Sequence, residues 1–128
     1  MSLKVGQKRF ELKEQLGAGA FGEIYGGVDL RSGAKVAIKL EPANAEHPQL
    51  AYEARVYQHL DGKRGIPRML YVGREGNYNV LVLERQGPNL EQCFNQCGRR
   101  FTLGTVLTLA DKMLQLIQKV HDLSLIHI

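Results

Sequence analysis

The sequence predicts an α+β fold: a small antiparallel sheet of five strands with one helix inserted, then a sharp connector, then helices. Three observations predict it. Apolar residues alternate with period 2 through most of the first half. The spacing turns helical between Pro48 and Leu60, then reverts to strand-like runs. After Gln86-Gly87-Pro88 the period is helical to the end of the long apolar pattern.

The elements follow in order. Phe10, Leu12 and Leu16 share one period-2 phase and precede a glycine-rich turn. Ile24, Val28 and Leu30 share another phase, interrupted by Gly26, and Arg31-Ser32-Gly33-Ala34 is a turn. Val36, Ile38 and Leu40 alternate in a third strand. Pro48 suits a first helical turn, Leu50, Ala54, Tyr57 and Leu60 repeat at helical spacing, and Asp61-Gly62 is a stop. Met69 to Val72 and Tyr78 to Leu83 read as a hairpin around Glu75-Gly76-Asn77. A short helix is expected near Asn89 to Cys97 and a long one near Leu103 to Leu123. On the long helix, Val106, Leu107, Leu109, Ala110, Met113, Leu114, Leu116, Ile117 and Val120 fill about half the circumference, wider than one packed neighbour requires.

Composition narrows the function classes. In 128 residues, 44% are hydrophobic and 23% charged, which excludes a disordered tail, a collagen-like fibre and a multi-span membrane protein. The net charge of +4 comes from basic residues scattered along the chain, which favours an enzyme or binding domain over a dedicated nucleic-acid binder. Cys93 and Cys97 cannot make a disulfide framework and read as reduced, buried thiols rather than metal ligands. The N-terminus lacks the apolar core of a signal peptide, and an intracellular address, cytoplasmic and/or nuclear, is expected. His47, His59 and His121 are isolated, and Arg99-Arg100 reads as an exposed loop. The five tyrosines (25, 52, 57, 71 and 78) look like core or sheet-face residues, not a base-stacking platform.

The residues that carry chemistry lie in the first half. Gly17-Ala18-Gly19-Ala20-Phe21-Gly22 is a G-x-G-x-x-G between two strands. A dinucleotide-binding motif would open a helix, and a Walker A loop would place Lys after the last glycine; neither holds. A glycine-rich hairpin lets backbone lie over phosphates, although alone it is equally a flexible turn. Lys39 ends Val36-Ala37-Ile38-Lys39 in the strand after the hairpin. Period 2 puts Ala37 and Lys39 on one face, leaving room for a base beside a cation for phosphate; the plainer reading is a surface lysine. Glu53 lies along the edge of its helix's apolar stripe, where a carboxylate needs a cation or strong donors, unless it is simply solvated. Lys39 is the evident partner.

Glycine loop, strand lysine and helix glutamate in this order form the N-terminal half of the protein-kinase signature. His47-Pro48-Gln49-Leu50, Gly65-Ile66-Pro67, Tyr78-Asn79-Val80, Gly87-Pro88-Asn89-Leu90-Glu91 and Leu109-Ala110-Asp111 resemble the casein kinase 1 family at corresponding positions, from about Val5 to His121. The resemblance implies a kinase N-lobe with hinge over residues 1–87, the first two helices of a truncated helical C-lobe over 88–122, and an ATP site between the lobes. It places Leu16, Ile24 and Ala37 over adenine, Gly17, Ala18, Gly19, Ala20, Phe21 and Gly22 over the phosphates, and Lys39 on the α- and β-phosphates with Glu53 as its partner. Lys39 and Glu53 thereby take the catalytic roles present in the chain. Leu83 matches the gatekeeper, and Glu84 and Gln86 match the adenine-binding hinge, where Arg85-Gln86 replaces two residues that the family usually has apolar.

The chain ends Leu125-Ile126-His127-Ile128, before the Asp that is the family's catalytic base and before its metal ligands. ATP is therefore the expected ligand, and Mg2+ finds none of its ligands here. Residues 123–128 resemble the translation of a transposon-end sequencing adaptor and are expected to be a non-native tail; a genuine Ile-His at a truncation or splice boundary is the competing reading. By resemblance, the full protein is expected to be a protein Ser/Thr kinase, monomeric, acting on acidic or already phosphorylated protein substrates, with no nucleic-acid or membrane partner. The alternative is an inactive truncated product that binds nucleotide or a protein partner.

Overall fold

The computed structural model describes residues 3–19 and 22–122. The chain divides into two compact units, Met1–Gln86 and Gly87–Ile128. The first holds a six-stranded antiparallel sheet and one helix: β1 Lys4–Val5, β2 Phe10–Gly19, β3 Gly22–Asp29, β4 Lys35–Pro42, α1 Leu50–Leu60, β5 Met69–Glu75 and β6 Tyr78–Glu84. The order across the sheet is β1-β2-β3-β4-β6-β5. The strand beyond the expected five is β1, whose two residues are too few to show a period.

One face of the sheet carries the main core. Val5, Phe10, Val36, Ile38, Leu40, Val80 and Val82 are all buried, with Leu12, Tyr25, Leu70 and Tyr71 packed around them. Each such side chain contributes roughly 1.5–3 kcal/mol of burial. The sheet curls around this core until its two edges meet. The Glu75 carboxylate on β5 accepts from the Gly6 amide just after β1, at 2.9 and 3.0 Å. The rings of Phe10 and Tyr71 lie 6.2 Å apart across the same closure. A groove of about 660 Å³ opens on this side, between Leu3, Val5, Leu12, Tyr25, Tyr78 and Val80; Lys39 and Glu53 do not line it.

The opposite face receives α1. Leu50 and Ala54 pack on Leu81, with Tyr57, Met69 and Leu83 beside them. The helix begins at Leu50, two residues after Pro48, and stops at Asp61 before Gly62 at φ 77°. At the other end of α1 a turn of the chain returns to β5, and Gly76 at φ 57° makes the tight reversal of the β5–β6 hairpin.

Two expectations fail in β2 and β3. Leu16 does not share the buried side of Phe10 and Leu12 and is 45% exposed. Register shifts between Leu12 and Gln15, and between Gln15 and Gly17, insert extra residues and break the alternation. The Ile24 phase of β3 is real but faces away from the main core, and Leu30 lies past the strand and is 48% exposed. The turn that follows is held by Asp29, which is 3% exposed and takes bonds of 3.1 and 2.8 Å from the Arg9 guanidinium. That bond, helped by the Arg31 amide, outweighs burial and holds the Asp29 carboxyl down at about 2.

The second unit contains α2, Leu90–Gln96, and α3, Leu103–Asp122. Asn89 and Gln92 form a reciprocal capping box at α2, with bonds of 2.8 and 2.9 Å. Thr102 caps α3 by accepting from the Thr105 amide at 3.1 Å. Phe94 and Phe101 meet edge to face at 5.0 Å. Among the described residues of this unit none is buried, and Val106, Leu107, Met113, Leu114 and Ile117 stand exposed. Leu123, expected in the long helix, and the expected tail at 123–128 lie outside the described residues. Cys93 is half-buried and Cys97 exposed, so neither is the buried thiol expected. A seven-residue helix without buried positions offers no interior for them. Tyr52, on α1 and 48% exposed, is neither core nor sheet face, whereas Tyr78, 45% exposed, is a sheet residue at the start of β6.

Candidate functional site

The site is built on the alternation of β4. Val36, Ile38 and Leu40 point into the main core, so Ala37, Lys39 and Glu41 take the other face. Strand register then sets rows across that face, because directly opposed residues point the same way. Gly17, Ile24, Lys39 and Leu81 form one row, through the pairs Gly17–Ile24, Ile24–Lys39 and Lys39–Leu81. Gly26, Ala37 and Leu83 form the next. Two of the three residues in that second row are the smallest available.

Lys39 is paired. Its Nζ donates to Glu53 Oε1 at 2.8 Å and Oε2 at 2.9 Å, with the two side chains 28% and 31% exposed. Glu53 sits in the first turn of α1, where a carboxylate also complements the positive end of the helix. One turn on, Tyr57 packs on the Leu81 cluster; burial pushes its hydroxyl pKa up, and the Glu53 charge adds to the rise.

The loop end of β2 and β3 contains a glycine whose reason is local and one whose reason is not. Gly22 has φ 142°, and a Cβ there would lie 2.2 Å from the Leu40 carbonyl oxygen, so no side chain fits. At Gly17 a Cβ would meet nothing within 4 Å, although the position faces the same way as Lys39. The free chain thus gives no packing reason for that glycine.

The sequence-assigned residues distribute as follows. Gly17, Ile24, Ala37, Lys39, Leu83 and Glu53 come together on one face of the first unit. Ala18 pairs with Glu23 one position on and falls on the other face, and Leu16 lies exposed in the irregular stretch of β2. Ala20 and Phe21 lie outside the described residues. The Glu84 amide donates to the Arg68 carbonyl at 3.0 Å, and the Glu84 carbonyl accepts from the Gln86 side chain at 3.3 Å. Among the described residues no cluster of His, Cys, Asp or Glu has the arrangement of a metal site.

Two features escape sequence reasoning. Glu41, 2% exposed, accepts from the Gln49 amide at 2.7 Å, the Leu50 amide at 3.0 Å and Asn79 Nδ2 at 3.0 Å. Burial raises its carboxyl pKa, but those three donors and the Lys39 charge together lower it below the usual range. The available signals were the continued alternation Ala37, Lys39, Glu41 and a helix start lacking Ser, Thr, Asp or Asn at its cap. The second feature is the pair of Arg85 Nη1 and Glu14 Oε1, 2.7 Å apart. A Cβ on Gly26 would lie 2.5 Å from that Glu14 oxygen and 2.8 Å from that Arg85 nitrogen, so the ion pair occupies the space a side chain at 26 would take. Nothing local in the sequence links residues so far apart.

A model of the protein tyrosine and serine/threonine kinase family matches residues 10–128. The match takes in the glycine motif, the Lys39–Glu53 pair and both helical segments of the second unit. With an N-lobe-like antiparallel sheet and helix joined to a lysine–glutamate pair, the chain belongs to the protein tyrosine and serine/threonine kinase family.

Proposed function

We propose that this chain is the ATP-binding portion of a casein kinase 1-like protein kinase that transfers the γ-phosphate to Ser or Thr of protein substrates. The observation that carries the nucleotide reading is the bidentate Lys39–Glu53 bond on the face shared with Gly17, Ile24 and Ala37. A lysine held by a carboxylate keeps its ammonium in one place, on a face that carries small residues at Gly17 and Ala37. On this reading Lys39 binds the α- and β-phosphates, and the unexplained openness at Gly17 is room for phosphate under the backbone. Ile24, Ala37 and Leu83 give the base an apolar surface, and the resemblance assigns its hydrogen bonds to the backbone of Glu84 and Gln86, at Glu84 through the carbonyl, since the amide is taken by Arg68. Leu16, Ala18, Gly19, Ala20, Phe21 and Gly22 keep the roles the resemblance gives them. So does the preference for acidic or primed substrates, together with a cytoplasmic or nuclear address.

Mg2+ does not fit the residues described. Glu53 is engaged by Lys39 and Glu41 by the start of α1. The base and metal ligands of the family pattern are not among the 128 residues, so the chain alone is expected to transfer no γ-phosphate to an acidic protein such as casein. Transfer that disappears in Lys39→Ala would overturn that expectation.

Calorimetric titration with Mg-ATP tests the nucleotide reading. The chain is expected to bind, and Lys39→Ala to weaken binding by about tenfold or more. Absence of binding, or equal binding by the variant, would sink it. A second reading, a non-catalytic interaction module, is favoured by one observation: the exposed apolar residues of α3. A finding that the chain binds a protein partner through α3 while ignoring Mg-ATP would select it.

A further inference from the structure

We propose that Glu41 is a positioning residue that ties the start of α1 to β4 and so delivers Glu53 to Lys39. Its meaning for phosphotransfer rests on the function proposed above; the tie itself does not.

The helix needs an acceptor at its start. Its N-cap, Gln49, makes no side-chain cap bond, yet the first amides of any helix have no partner within it. Glu41 supplies the missing acceptor from another element: Oε2 takes both the Gln49 and Leu50 amides, at 2.7 and 3.0 Å. Oε1 takes the side-chain amide of Asn79, its cross-strand neighbour on β6, at 3.0 Å. The carboxylate is thus aimed from the sheet side and gripped at the helix side.

Placement gives this bond its consequence. Glu41 and Lys39 lie two residues apart on one face of one strand. Leu50 and Glu53 lie three residues apart in the first turn of one helix. Both ion-pair partners are therefore a short, rigid distance from the tie. Beside the Lys39–Glu53 pair itself, α1 meets the sheet through an apolar cluster: Leu50, Ala54 and Tyr57 against Leu81, Met69 and Leu83. Apolar contacts are non-directional and permit a helix to slide or roll. Directed hydrogen bonds to two successive amides do not. Glu41 thus puts a directed constraint on the axial position of α1, and with it on the reach of Glu53.

The test measures Lys39 directly, with no nucleotide. The native chain is treated with limiting acetic anhydride, and labelling at each lysine is read by peptide mass spectrometry. An ion-paired amine reacts slowly. Glu53→Gln is expected to raise Lys39 labelling roughly threefold relative to Lys35. Glu41→Gln is expected to do nearly the same, and the double variant to add nothing, because both act on one pair. Wild-type labelling of Lys39 in Glu41→Gln would overturn the proposal; so would additive effects in the double variant. Should Glu41→Gln fail to fold, Asn79→Ala decides. It leaves Glu41 in place but removes one of its three donors, and raised Lys39 labelling with Lys35 unchanged supports the tie, whereas unchanged labelling refutes it. Failure of the chain to bind Mg-ATP would sink the proposed function and leave this labelling result standing.

Discussion

The two faces of the sheet in the first unit divide the work. On the inner face, Val36, Ile38, Val80 and Val82 have no exposure at all and interlock across neighbouring strands. On the outer face the sheet carries Gly17, Ile24, Gly26, Ala37 and Lys39, from β2, β3 and β4, which are small, half-open or charged. The difference runs through β4 residue by residue, so a step of one position moves from packing to chemistry. A single strand can thus hold a dense core on one side and a paired cation on the other, because the pleat separates the two demands.

Substitutions on each face sharpen that contrast. The largest loss of stability is expected for Ile38→Ala, about 2–5 kcal/mol, since Ile38 is wholly buried and its truncation leaves a cavity. Urea unfolding measures it, and a loss below about 1 kcal/mol would show the inner face to be looser than its burial indicates. Next comes Gly22→Ala, where the new methyl group collides with the Leu40 carbonyl: about 2 kcal/mol or more. Wild-type stability there would mean that β3 and β4 can part at the loop end.

Acid sharpens the comparison at the turn after β3. The Asp29 carboxyl titrates at about 2 in the folded chain against an ordinary 3.8. A depressed carboxylate adds stability above its unfolded value and loses it as pH falls toward the folded one. The advantage of the wild type over Asp29→Asn should therefore shrink between about pH 4 and pH 2. An advantage that stays constant over that window would show that Arg9 and Asp29 do not depend on ionisation.

The smallest effect on stability is expected for Gly26→Ala on the outer face. The added methyl meets the far end of the flexible Glu14 side chain, which can swing away into solvent. Stability should stay near wild type while the Glu14–Arg85 bond breaks, a change visible in the Arg85 side-chain NMR signals. A large loss of stability would mean that the outer face is as tightly packed as the inner one.

Much of this division was legible in the sequence. The Val36-Ala37-Ile38-Lys39 alternation placed Lys39 opposite the core, and the helical spacing of Leu50, Ala54 and Tyr57 put Glu53 at the edge of the buried stripe. What failed had a common cause in non-local geometry. The shifts in β2 that displace Leu16 depend on how that strand meets β3, not on its own pattern. Strand β1 is held by pairing with β2, by the burial of Val5 and by Glu75, which reaches the amide after it from the far side of the sheet. Glu41 and Asn79 meet through register, and Glu14 meets Arg85 through a gap that Gly26 leaves. Single residues announce such contacts weakly, because each half is an ordinary polar side chain until the other arrives.

The Glu75 carboxylate has one more effect. An open sheet ends in two rows of unsatisfied backbone groups, which invite strands from other molecules. Here the margins of the sheet are stitched to each other by a side chain reaching the Gly6 amide. Cutting that stitch would leave the two-residue margin to fray and uncover Phe10, and the first symptom would be self-association rather than unfolding.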